Sequence, residues 1–182
     1  MADLVARHRP PTIVPQPPFP ALVDAIVSQQ ISGKAAASIL ARLAELVPIR
    51  PATLARADLR RLRRAGLSRA KASYVRELAR FAEAGGLRGL GRLSDAEVIE
   101  RLVQVKGVGV WTAEMFLIFH QLRPDVFPLD DIGLQKAVAL HYCQGERPGR
   151  RLLAEHGERW RPWRSVATWY LWRSLDPLPV EY

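Results

Sequence analysis

Cysteine is nearly absent from this 182-residue chain, with Cys143 standing alone. That excludes an internal disulfide and any all-cysteine zinc or iron–sulfur site. Lysine is almost as scarce, found only at positions 34, 71, 106 and 136. Long apolar runs are missing too. Pieces such as Met115-Phe116-Leu117-Ile118-Phe119 fall far short of the roughly 20 residues that span a bilayer. The first ten residues, Met1 to Pro10, lack the apolar core of a secretory signal. A cytoplasmic protein with no membrane association is therefore expected. No stretch alternates with period two, and no repeat of solenoid length is present. His8, His141 and His156 show no metal-ligand spacing, and His120 reads as a helix-end residue.

What is present is arginine. Lysine and arginine total 27 against 18 acidic residues, a formal net charge of +9. Such an excess favours polyanions, nucleic acid first and anionic membrane surfaces second. Arginine suits bidentate contacts with phosphate, although a GC-rich genome produces the same bias. With 48% hydrophobic and 25% charged residues, the composition is that of an ordinary globular protein. A chain of this length buries roughly 70% of its unfolded surface and needs no metal or disulfide staple.

The pattern along the chain is helical. Prolines at 10, 11, 15, 17 and 18 predict an extended N-terminal arm over residues 1–19. Leu22, Ile26, Val27 and Ile31 then recur at helical spacing, and Gly33 breaks the run. Helices are expected over Ala35–Leu46, over the basic stretch Ala55–Ala65, and from a Ser68 cap to Gly85-Gly86. Ser94 with Glu97 predicts a capping box. Further helices are expected over Trp111–Gln121, from Pro128-Leu129-Asp130-Asp131 to about His141, and from Pro162 to about Ser174, with a basic loop around 147–151. The fold class is all-α.

Three constellations carry chemistry. In Leu102-Val103-Gln104-Val105-Lys106-Gly107-Val108-Gly109-Val110-Trp111-Thr112-Ala113 one helix ends, two glycines turn the chain, and another helix starts. The glycine amides can approach a phosphate at the second helix's N-terminus, or the glycines merely turn an αα-hairpin. In Val126-Phe127-Pro128-Leu129-Asp130-Asp131 the adjacent carboxylates are ordinarily a cap and a solvated neighbour. The functional alternative is that one carboxylate caps while the other faces a cleft, where an anion can stabilise a developing cation or orient water. In Trp160-Arg161-Pro162-Trp163-Arg164-Ser165, with Trp169 and Trp172 beyond, the tryptophans are core residues or faces for stacking a base. Glu114, early in the hairpin's second helix, reads as a partner of the helix dipole.

Together these segments resemble the helix-hairpin-helix/GPD family of base-excision DNA glycosylases, and within it the inducible alkylpurine (3-methyladenine) type. The hairpin Val105–Ala113 carries the likeness, with Asp131 twenty-two positions after Gly109. The early segment Ala25-Ile26-Val27-Ser28-Gln29-Gln30-Ile31-Ser32 and the closing Trp160–Ser165 motif carry it as well. The likeness runs over about residues 20–175. It implies a two-lobed helical fold with the active-site cleft between the lobes, formed by residues 20–182 with the hairpin at about 95–121. It implies Asp131 as the catalytic carboxylate and Asp130 as its non-catalytic neighbour. Trp111, Trp172 and Met115 would surround the flipped base, with Met115 standing where the family pocket has an aromatic. Gln30 would plug the duplex, and Lys106, Gly107, Gly109 and Thr112 would meet phosphate. The carbonyls of Val103, Val105 and Val108 would hold a structural sodium or potassium ion. No cofactor is otherwise implied, and no iron–sulfur cluster.

In the lyase branch of the family a nucleophilic lysine follows the hairpin glycines, and here that position is Trp111. The resemblance therefore implies a monofunctional enzyme. It would hydrolyse alkylated purines such as 3-methyladenine and 7-methylguanine from double-stranded DNA, acting as a monomer. The nineteen residues before Pro20 are expected not to supply the mixed α/β domain of the inducible bacterial enzyme. The alternatives are a non-catalytic helix-hairpin-helix DNA-binding protein and a glycosylase for neutral lesions such as hypoxanthine or ethenoadenine.

Overall fold

The computed structural model describes residues 1–10 and 12–175. Pro11 of the expected arm and residues 176–182 of the expected domain lie outside them. The described residues are all-α, without a strand. None of their helices is long and apolar enough to cross a membrane. The chain divides into two compact units: Gln16–Phe116, and Met1–Pro15 together with the chain from Leu117 onward.

In the Gln16–Phe116 unit, α1 is Pro18–Ser28. Proline suits the first turn because its missing N–H would have no intrahelical partner there. Ala21, Leu22, Val23, Ile26 and Val27 are all fully buried, so this helix is wrapped by its neighbours on most sides. It packs on α2 (Gly33–Leu46) and α5 (Arg69–Glu83). Ser32 caps α2 by accepting the Ala35 N–H at 3.3 Å. Gly33, expected as a breaker, thus opens a helix, and the break falls at Gln29–Ile31.

The basic stretch expected as one helix is two, α3 (Pro51–Arg56) and α4 (Leu59–Arg64). Asp58 separates them because its carboxylate accepts the Arg60 N–H at 2.8 Å and starts a new helix. Helix α5, capped by Ser68, turns Ala72, Val75, Leu78 and Ala79 inward. After a 3-10 turn at Leu90–Arg92, α6 (Asp95–Leu102) begins with the expected capping box. The Ser94 hydroxyl and amide both donate to Glu97. These bonds, the hydroxyl's first, hold that carboxyl below its usual range. Helix α7 (Val110–Phe119) follows and crosses the boundary between the units.

The other unit contains α8 (Ala2–Arg7), α9 (Ile132–Tyr142), α10 (Arg150–Glu158) and α11 (Arg164–Arg173). Helix α11 packs on α9 and α8. The arm over 1–19 is therefore not extended throughout. Ala2–Arg7 is helical because Leu4 is buried in the core with Trp169 and Leu171, and Pro18 already belongs to α1. The sequence pattern does not predict α10. Its Gly157 lowers helix propensity, yet a Cβ there would come within 2.7 Å of the Phe127 ring. Close packing requires the residue that hides the helix. Helix α11 begins at Arg164, just beyond Pro162 rather than at it.

Candidate active site and nucleic-acid interface

The two adjacent carboxylates separate cleanly. Asp130 is exposed and pairs with Arg150. Asp131, only 9% exposed, is the N-cap of α9. Its Oδ1 accepts the Leu134 N–H at 2.6 Å and the Trp172 indole N–H at 2.7 Å. The cap and the tryptophan contact thus converge on one oxygen. Gly133 makes room for this pairing, since a Cβ there would come 3.0 Å from Trp172 Cδ1 and 3.2 Å from Asp131 Oδ1. Trp172 stacks on Phe119 with ring centroids 5.8 Å apart and planes 16° from parallel. One face and the N–H edge of the indole are therefore fixed.

The loop leading to Asp131 is strapped from both sides. Ser165 donates its hydroxyl to the Arg123 carbonyl at 2.6 Å and accepts the Val126 N–H at 2.9 Å. Arg164 forks onto Asp125 through Nε to Oδ1 at 2.6 Å and Nη2 to Oδ2 at 3.0 Å. Arg161 adds a contact to Oδ2 at 2.6 Å. The hydrogen bond from Arg164, more than the opposing burial, holds the Asp125 carboxyl below the usual carboxylate range. Gln135 Nε2 donates to the Leu129 carbonyl at 2.8 Å on the other side of the loop. The closing motif Trp160–Ser165 is thus a clamp that sets the loop before Asp131.

In the Gln16–Phe116 unit the hairpin is α6, the turn 103–109, and the start of α7. Gly107 has φ +91°, and a Cβ there would sit 2.2 Å from the Tyr74 ring. Only glycine fits. Gly109 is exposed, with nothing within 4 Å of where a Cβ would lie. Its carbonyl accepts the Ala113 N–H at 3.0 Å, so Gly109 marks the entry to α7. The amides of a first helical turn have no intrahelical acceptor and point outward along the axis. Lys106 is exposed beside this turn. Thr112 is buried, and its hydroxyl receives Gln29 Nε2 at 3.4 Å. Trp111, 44% exposed, and Met115 stand one turn apart on one face of α7.

Gln30 is exposed and has a left-handed backbone, φ +58°. Two residues missed in the sequence hold its loop. Gln29 Nε2 also donates to the Gly107 carbonyl at 2.9 Å. Lys71 Nζ donates to the carbonyls of Val27 at 2.7 Å and Gln29 at 2.5 Å, closing the end of α1. Burial pushes the Lys71 ammonium below its ordinary value. The available signal was a lysine in an arginine-rich chain, because a compact ammonium with three donors can cap two carbonyls.

The Val105 carbonyl accepts the Val108 N–H at 2.9 Å, which leaves its second lone pair for another donor or a cation. Among the described residues, no group of three or more His, Cys, Asp or Glu side chains is placed to hold a metal ion.

Comparison with known proteins gives one consistent result. A family profile described as "HhH-GPD superfamily base excision DNA repair protein" matches residues 23–162. A putative DNA-3-methyladenine glycosylase of Bacillus subtilis, YfjP, is 34% identical over 129 residues; the match covers 70% of this chain and 45% of that protein. The chain thus spans less than half the length of that relative. A solved structure of a DNA-3-methyladenine glycosidase from Bacillus halodurans superposes with a TM-score of 0.84 at 37% identity, covering 97% of this chain and 84% of that one. A Schizosaccharomyces pombe 3-methyladenine DNA glycosylase, solved in complex with abasic DNA, gives a TM-score of 0.84 at 31% identity, covering 100% and 91%.

Proposed function

The chain belongs to the HhH-GPD superfamily of base excision DNA repair proteins, and from that premise we propose that it is a monofunctional DNA glycosylase for alkylated purines. The observation that carries this reading is the paired carboxylate and indole, Asp131 Oδ1 bonded to Trp172 Nε1 at the head of α9. The names of the relatives above point to the same substrate class.

An N3- or N7-methylated purine bears a formal positive charge, so its glycosidic bond is weak and the base leaves neutral. The enzyme needs no strong general acid. It extracts the nucleotide from the stack, at a cost of a few kcal/mol that alkylation reduces, and stabilises the cation-like sugar. As the C1′–N bond breaks, its electron pair leaves with the base. Asp131 lies beside the sugar, stabilises the positive charge on C1′ and orients a water. The water oxygen bonds to C1′ and its proton passes to solvent. Trp172 acts twice, holding the carboxylate through its N–H and offering its ring to the base. Trp111, with Met115 one turn on, gives a second apolar and aromatic surface. Each aromatic face favours a charged base by about 0.5–2 kcal/mol. With Trp111 after the hairpin, no lysine amine is supplied at that position for a Schiff base.

Gln30 fills the duplex position that the base vacates. Gly109, Gly107, Thr112 and Lys106 grip phosphate without reading sequence. The carbonyls of Val103, Val105 and Val108 would hold a monovalent cation, which would add positive charge next to that phosphate. A chromosomal DNA substrate accords with a cytoplasmic protein.

The test is release of free base from duplex DNA treated with a methylating agent, with the products identified by chromatography. We expect 3-methyladenine and 7-methylguanine from wild type. Asp131→Asn should bind the same DNA and release base at least roughly a hundredfold more slowly, the scale for a preorganised electrostatic group. Normal turnover by that variant overturns the assignment of Asp131. Preferential release of hypoxanthine or ethenoadenine overturns the choice of substrate.

A further inference from the structure

We propose that a cleft formed by Arg60, Arg63, Arg64 and Gly66 binds a backbone phosphate of the same duplex that the Gln30 loop meets. The proposal rests on the DNA-repair reading above and extends its contact surface beyond the hairpin.

The first observation is which arginines are already engaged. In the unit that contains Asp131, Arg150 pairs with Asp130, Arg151 with Glu155, and Arg161 and Arg164 with Asp125 and Glu158. Around α4 the neighbours are engaged as well. Arg61 donates to the Leu46 carbonyl at 2.5 Å, and Arg56 to the Ala52 carbonyl at 2.8 Å. Arg60, Arg63 and Arg64 form no ion pair with a carboxylate among the described residues, yet all three line one shallow cleft of about 340 Å³ with Gly66 and Leu67. A fourth guanidinium adjoins it. Arg42 donates Nε to the Ala65 carbonyl at 2.9 Å, and its Nη2 lies 2.9 Å from where a Gly66 Cβ would stand. Gly66 itself has φ +104° and closes α4. Like charges gathered within one turn repel unless an anion sits among them. Planar guanidinium forks match the oxygens of phosphate.

The second observation is position. The same Gly66 site packs on Ile39 of α2, whose Cγ1 lies 3.2 Å from the Cβ position. Ile39 is six residues into α2, whose cap, Ser32, follows directly on Gln30-Ile31. At 1.5 Å per residue the cleft is about 9 Å along that helix from its start. Leu67, on the cleft wall, also leads into α5 one turn before Lys71, the residue that closes the Gln29 loop. The cleft is open to solvent, which suits a phosphodiester on a surface rather than an enclosed small molecule.

The experiment compares the full chain with the triple variant Arg60→Gln/Arg63→Gln/Arg64→Gln. Binding is measured to a duplex with a stable abasic-site analogue across a salt series, and base release is measured from methylated DNA. We expect the slope of log K against log salt to become shallower by about 0.9, the loss of one neutralised phosphate. The rate at saturating DNA and the Tm should match wild type, and the corresponding triple arginine-to-lysine variant should restore most of the slope. An unchanged slope overturns the proposal, and a collapsed Tm that lysine does not rescue makes the arginines structural. Inorganic phosphate, or vesicles containing phosphatidylglycerol, bound through these arginines while the duplex slope stays unchanged would assign the cleft to free phosphate or lipid and also overturn it. A slope that flattens as expected in the triple variant, while the wild type releases no base from methylated DNA, supports this inference and removes the alkylpurine reading.

Discussion

Trp172 makes two contacts that separate by substitution. Its ring stacks on Phe119 and its N–H bonds to Asp131 Oδ1. Trp172→Phe keeps an aromatic face and removes the donor. A hydrogen bond to a charged group is worth about 1.5–3 kcal/mol, so base release at saturation should slow roughly ten- to a hundredfold. The preference for charged over neutral bases should persist in Trp172→Phe and fall in Trp172→Ala. Equal preference losses in the two variants would assign the selectivity to the N–H. Asp125 gives a prediction of a different kind. Its folded-state pKa is depressed, chiefly by the hydrogen bond from Arg164. The stability it contributes is therefore fully present above the unfolded value, near 4, and is lost as pH falls through the depressed value. Asp125→Asn should lower the Tm at neutral pH and flatten its decline below about pH 4. A variant whose Tm falls with acid as steeply as that of wild type would move the effect to other carboxylates.

At the scale of the element, the hairpin's two glycines differ in kind. Gly107 has a positive φ and a tyrosine ring where a Cβ would be, whereas Gly109 has open space. Gly107→Ala should destabilise the protein by roughly 1–3 kcal/mol through backbone strain and the clash, read as a drop in Tm. Gly109→Ala should keep the wild-type Tm and weaken DNA binding, because the added methyl stands where phosphate approaches the amides. Intact binding by Gly109→Ala would mean the phosphate sits elsewhere on the turn. The sequence showed the hairpin, its capping box at Ser94 and a cap within the Asp130-Asp131 pair because those signals are local, within four residues of each other, but not that Asp131 is both the cap and the partner of Trp172. It did not show the split at Asp58, where a polar cap interrupts an otherwise helical stretch. Nor did it show α10, whose buried Gly157 reads as a breaker until Phe127 packs on it. The contacts that set the site were beyond reach for the same reason: Trp172 lies 41 positions from Asp131, Gln29 lies 78 from Gly107, and Lys71 lies 42 from Gln29.

At the scale of the whole molecule, charge is unevenly shared. Gln16–Phe116 contains 16 of the 27 basic residues but only 9 of the 18 acidic ones, and so carries +7 of the net +9. That unit holds the hairpin, the Gln30 loop and the arginine cleft, while the unit holding Asp131 is nearly balanced and pairs Arg7, Arg150, Arg151, Arg161 and Arg164 with carboxylates. Composition gave the excess of charge, but only the fold shows that it gathers on one unit. Under the proposed function, such a division would place the long-range attraction for phosphate on a different set of groups from the Asp131 carboxylate that stabilises the sugar cation. Salt should therefore act on binding and spare the chemistry. Raising salt from about 50 to 200 mM should lower base release steeply when DNA is limiting, by the large factors typical of several released counterions. The single-turnover rate with enzyme and DNA at saturation should stay flat over the same range, because a partly buried carboxylate is screened far less than surface arginines. A single-turnover rate that falls in parallel with binding would show that the arginines act in the chemical step itself, and would remove the division of labour between the two units.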